Sequence, residues 1–109
     1  MYAELFTNNQ RLSVSVIAAY ELEKGAKLSQ NTSRDLKLIR EFISELEILN
    51  LDVSIVDSAS ELYAELSGAG KKIGEFDILI AATCLVASET LVTNDKDFDV
   101  VPNLVKVHY

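Results

Sequence analysis

One cysteine, Cys84, stands alone among 109 residues, so no internal disulfide can form and nothing asks for an oxidising compartment. One proline and four glycines exclude a collagen-like or low-complexity chain. The only histidine, His108, has no second histidine or free nucleophile beside it, which argues against a zinc site or a catalytic triad. Long apolar stretches are missing too: the longest, Ile78 to Ala82, falls far short of the ~18 residues that span a bilayer. Met1 to Phe6 carries no basic segment and does not read as a signal peptide. The expectation is a soluble, cytoplasmic protein with no membrane attachment, organised as one domain over residues 1–109.

Positive charge is scarce. Ten Lys and Arg stand against 17 Asp and Glu, a net charge of -7, and Lys71-Lys72 is the one adjacent basic pair. That balance disfavours tight non-specific binding to phosphates. It suits hard divalent cations or a basic protein partner.

The elements present alternate in type. Tyr2 to Asn8 reads as a short helix, and its Tyr-Ala-Glu-Leu recurs at Tyr63 to Leu66. Leu12 to Val16 alternates apolar and polar residues as a strand does, and Ser15 can cap a helix running to about Leu28. Leu36, Ile39, Ile43, Leu46 and Leu49 recur at helical spacing. Asp52 to Val56 reads as a β-branched strand, followed by a helix capped by Asp57, with Ala59, Leu62, Tyr63 and Leu66 facing a core. A helix from Asp77 to about Ala87 is apolar nearly all round and should be covered on most sides, with Cys84 a small core residue. Thr90 to Thr93 and Leu104 to His108 read as strands flanking a polar turn. Such alternation predicts an α/β fold with helices layered on a mainly parallel sheet.

Three acids fall where strands give way to other elements, the position in which open α/β sheets place ligand sites. Glu21 lies on the helix after the first strand, Asp77 opens the apolar helix, and Asp95 follows a strand, with Asp97 two residues on. Each has a plain structural alternative: a solvated helix face for Glu21, a first-turn acid for Asp77, a turn residue for Asp95. Gathered together, however, they would repel one another unless a divalent cation offset the repulsion.

Three ordered segments carry a family resemblance. Ser13-Val14-Ser15-Val16-Ile17-Ala18-Ala19-Tyr20-Glu21-Leu22, continuing to Gly25-Ala26, resembles the strand–helix segment of PIN-domain ribonucleases, the toxins of VapBC toxin–antitoxin pairs. Ile73-Gly74-Glu75-Phe76-Asp77-Ile78-Leu79-Ile80-Ala81-Ala82 is similar to their second segment, and Leu91-Val92-Thr93-Asn94-Asp95-Lys96-Asp97-Phe98 to their third. The resemblance implies a three-layer α/β/α fold and a Mg²⁺- or Mn²⁺-dependent endoribonuclease in which metal-activated water attacks RNA. It implies that Glu21, Asp77 and Asp95 are catalytic metal-binding acids and Asp97 a further ligand. Thr93 and Asn94 match the residues beside the third acid and would meet the substrate. The implied partners are RNA, commonly tRNA, and an antitoxin protein.

One part of the family pattern is unmatched. Members begin with a central strand of the form apolar-apolar-Asp-Thr/Ser, whose Asp is the first metal ligand. Here no Asp precedes Asp35, and Glu4 reads as helical. The chain therefore reads as N-terminally truncated relative to the family. Loss of a central strand would open two sheet edges, which invites a homodimer or higher oligomer. It also keeps open a second reading: a catalytically impaired remnant serving as an interaction module.

Overall fold

The computed structural model describes residues 4–8 and 11–108. In chain order the elements are β1 (Leu5–Asn8), β2 (Arg11–Ser15), α1 (Val16–Lys27), α2 (Thr32–Ser44), β3 (Glu47–Leu49), α3 (Val53–Gly68), α4 (Glu75–Ala87), β4 (Thr90–Val92), a 3-10 turn (Lys96–Val100) and β5 (Lys106–Val107). The strands form one sheet in the order β3-β2-β1-β4-β5.

The outer pairs, β2 with β3 and β4 with β5, are parallel, as crossover helices require. The centre differs. Leu5–Asn8 is not helical; it is the middle strand, antiparallel to both neighbours. Tyr2 and Ala3, also read as helix, lie outside the described residues. The reason is tertiary. β2 and β4 would otherwise present unpaired N–H and C=O groups to each other, and Leu-Phe-Thr-Asn suits a pleated, buried position. The two open edges expected at the sheet centre are therefore absent, and with them the reason given for oligomerisation.

Pairing aligns Phe6, Ser13 and Leu91 on one face, and Leu5, Val14 and Val92 on the other. Phe6, Ser13 and Leu91 are fully buried, and so is Val14 on the opposite face, so the sheet is covered on both sides. The main core joins Phe6, Val14 and Leu91 to Ile55, Leu62 and Leu66 of α3 and Ile78, Ile80 and Cys84 of α4. A second cluster, Leu22, Ala26 and Ile39, seals α1 against α2. At one end of the sheet Arg11 bridges Glu47 at 3.0 Å and the buried Glu89 at 3.8 Å, tying β2 to the residues flanking it.

Other boundaries shift for local reasons. The Ser15 hydroxyl accepts the Ala18 N–H at 3.0 Å, confirming that cap. Helix α2 stops at Ser44, so Leu46 and Leu49 are not on it; Leu49 closes β3, and both pack on the main core. Asp52 to Val56 is not a strand: the Asp52 carboxylate accepts the Ile55 N–H at 3.2 Å and starts α3 five residues before Asp57. Tyr63 is half-exposed rather than core.

Placing Phe6 at the buried centre of the sheet makes Phe6→Ala severely destabilising, by ~3–5 kcal/mol. Leu12→Ala, at an exposed position of β2, should cost much less. Urea denaturation of both variants checks this; equal, small losses would contradict a central β1.

Candidate metal centre

The acids are brought together by how strands end. β2 finishes at Ser15, which caps α1 and carries Glu21 a turn and a half further on. β4 finishes at Val92 and runs through Thr93-Asn94 to Asp95. Asp77 is the third residue of α4, in the first turn, where the helix dipole favours negative charge. Tyr20 and Phe76, the neighbours of Glu21 and Asp77, meet edge to face with ring centroids 5.9 Å apart, which clasps α1 to the start of α4.

Asp77, Asp95 and Asp97 each offer an oxygen within 4.8 Å of the others. The loop is fixed from within. The Thr93 hydroxyl, buried, accepts the Asp95 N–H at 3.1 Å, and the Asp95 carboxylate accepts the Asp97 N–H at 2.9 Å. The Thr93 N–H in turn donates to the Val107 carbonyl at 3.0 Å. The Thr93 hydroxyl thus holds the Asp95 loop, and Thr93 also lines the cleft beside it. Asn94 is exposed on a cleft of about 280 Å³ that Asp95, Lys96, Lys106 and His108 also line. Glu21 stands apart from the tight trio but near enough for its charge to act on Asp77.

Burial, then the charges of Asp95, Glu21 and Asp97, push the Asp77 carboxyl up from 3.8 to about 6. Among the described residues, none of the ion pairs involves Glu21, Asp77, Asp95 or Asp97, whereas the nearby Glu23 and Asp99 pair with Arg40 and Lys106 at 3.0 and 2.8 Å. The donor set is all carboxylate oxygen, which fits a hard divalent cation such as Mg²⁺ or Mn²⁺ and not a soft metal.

A further acid escapes the sequence reading. Glu4, just before β1, is partly buried. Burial, and then the charges of Asp77, Glu21 and Asp95, raise its carboxyl above 4.5, partly offset by its own backbone N–H. The local signal for a strand was Phe6-Thr7; the helical context of the second Tyr-Ala-Glu-Leu masked it.

The PIN domain family model matches residues 2–104 of this chain. The chain belongs to the PIN-domain family. It is similar to Ribonuclease VapC2 of Rickettsia felis, 34% identical over 103 residues, 94% of this chain and 77% of that protein. It is 32% identical to a tRNA(fMet)-specific endonuclease VapC of Shigella flexneri over 93% of this chain and 78% of the relative. The crystal structure of VapBC2 from Rickettsia felis, bound to a DNA fragment from their promoter, superposes with a TM-score of 0.84 at 32% identity, covering 89% of this chain and 74% of that one. The PIN match spans Glu4, Glu21, Asp77, Asp95 and Asp97 alike.

A carboxyl raised in the folded state binds its proton more tightly there than in the unfolded chain, so ionisation costs the fold stability. Asp77 therefore makes the metal-free protein less stable as pH rises through about 6, and more stable below it. Glu4 acts in the same direction. Glu23, Asp35, Asp52 and Asp99, held low by side-chain hydrogen bonds, act oppositely, but only below their ordinary values of 4.5 and 3.8. The melting temperature without metal should rise between about pH 7 and about pH 5, and Asp77→Asn should flatten the rise. A profile unchanged by the substitution would contradict the assignment.

Proposed function

We propose that this chain is a toxin-type endoribonuclease that cuts RNA phosphodiesters with the help of Mg²⁺ or Mn²⁺. The observation that carries the reading is the convergence of Asp77 and the Asp95–Asp97 loop, from distant parts of the chain, on one point, with none of the ion pairs among the described residues involving them. Bound there, the cation would supply positive charge to the scissile phosphate and lower the pKa of a water ligand. Asp77, Asp95 and Asp97 would hold it, with the charge of Glu21 nearby. The Thr93 hydroxyl, accepting the Asp95 N–H, braces the loop that carries Asp95. Asn94 is left free to contact the substrate. Lys96, Lys106 and His108 line the adjoining cleft and offer cationic or hydrogen-bonding contacts to the phosphates of a strand laid across the acids.

The ribonuclease names of the relatives support RNA as substrate, and the tRNA(fMet)-specific relative supports tRNA as the first to assay. The VapBC assemblies among similar structures support an antitoxin partner. The reading of a catalytically impaired remnant rested on the family's missing first strand and its Asp; β1 fills the central strand position, while no Asp precedes Asp35. No described helix is long and apolar enough to cross a membrane.

Purified protein should cleave RNA only with Mg²⁺ or Mn²⁺ and stop on chelation. Asp77→Asn should lower the rate by roughly 10²–10³, the scale on which one lost stabilising group at a reacting centre is felt. Cleavage that survives either chelation or the substitution would overturn the proposal.

A further inference from the structure

We propose that the cleft between the end of α3 and the start of α4 is a subsite for an unpaired nucleotide of the RNA, close to the phosphate that is cut. Lys71 and Lys72 would meet its phosphate, and Tyr63 its base. This rests on the ribonuclease reading above and adds to it a path for the substrate on the Asp77 side of the acids.

Two helix ends place the cleft. Gly70, with a φ of +73°, closes α3: its N–H donates to the Ser67 carbonyl at 3.1 Å, and the Lys71 N–H donates to the Leu66 carbonyl at 2.9 Å. This paired closure turns the chain back at the last turn of α3. Lys71 and Lys72 therefore line one cleft, of about 280 Å³, together with Tyr63 and Leu66 of α3. Ile73 and Glu75 complete the wall, and Glu75 opens α4 two residues before Asp77. Gly74 lies so near the metal centre that a Cβ there would meet Asp77 Oδ2 at 3.7 Å. The cleft thus adjoins the acids through Asp77, as the cleft of Lys96 and Lys106 adjoins them through Asp95.

Its lining combines two chemistries. Leu66, Ile73 and the half-exposed ring of Tyr63 give an apolar wall, and the two lysines give an exposed cationic lip. Elsewhere Arg11, Lys27, Arg34, Arg40 and Lys106 are each engaged with a carboxylate. None of the ion pairs among the described residues involves Lys71 or Lys72. Two cations against Glu75 leave the lip net positive on a chain whose net charge is -7. An aromatic face beside cations suits a single strand of RNA, with the base stacked and the phosphate held. Positive charge beside the acids also eases the approach of a polyanion to them.

Cleavage of a labelled single-stranded RNA by the intact chain in Mn²⁺, followed against RNA and salt concentration, tests the assignment. The double change Lys71→Ala, Lys72→Ala should raise KM roughly tenfold, with a smaller effect on kcat, and make the salt dependence of kcat/KM shallower by about one per lysine. Tyr63→Leu should raise KM roughly fivefold or more, and Tyr63→Phe, which keeps the ring, should not. Lys37→Ala, at an exposed position of α2, should leave KM and the salt slope as in the wild type. Urea midpoints equal to that of the wild type would show that the variants fold. Wild-type KM and salt slope in both the lysine and Tyr63→Leu variants would overturn the subsite and leave the ribonuclease reading standing. No cleavage by the wild type would overturn both.

Discussion

The fold depends on a gap one strand wide. β2 and β4 lie two strand spacings apart, ~10 Å, each with an inner edge of unpaired donors and acceptors. Leu5–Asn8 fills that space and satisfies both edges. Phe6 is buried as a result, and the separation between the ends of β2 and β4 is set. That separation places α1, with Glu21, relative to the Asp95 loop. The direction of β1 matters less to the sheet than its presence, because backbone pairing is available either way. It matters greatly to what lies at the sheet's end.

At that end the chain accumulates like charge and leaves it uncompensated. Glu23 and Asp99, only a few residues from Glu21 and Asp95, have cationic partners. Among the described residues the inner acids have none, and burial with the neighbouring carboxylates raises the Asp77 carboxyl to about 6. Repulsion of this kind destabilises an empty site and is relieved by a small hard cation, so the electrostatic penalty and the proposed chemistry have one origin. The Thr93 hydroxyl and the Asp95 carboxylate, each accepting a backbone N–H, keep the loop from relaxing away from that repulsion.

Legibility followed how local the determinants are. Ser15 as cap, α1, the apolar α4 and β4 were readable because cap chemistry and periodicity lie within a few residues. Asp77 and Asp95 stood out because each sits at an element boundary. The segment 46–56 misled: Leu46 and Leu49 continue a helical spacing past the point where α2 ends, and Val53, Ile55 and Val56 look like a strand until Asp52 is seen to cap α3. Leu5–Asn8 was not legible at all, since what makes it a strand is two edges contributed by residues 11–15 and 90–92.

The account's central claim is that these acids converge to hold one divalent cation. A crystal of this chain grown with Mn²⁺ and measured for anomalous scattering tests it most directly. The account predicts a single strong peak among Asp77, Asp95 and Asp97. Manganese bound elsewhere on the surface, with these carboxylates left bare, would contradict it.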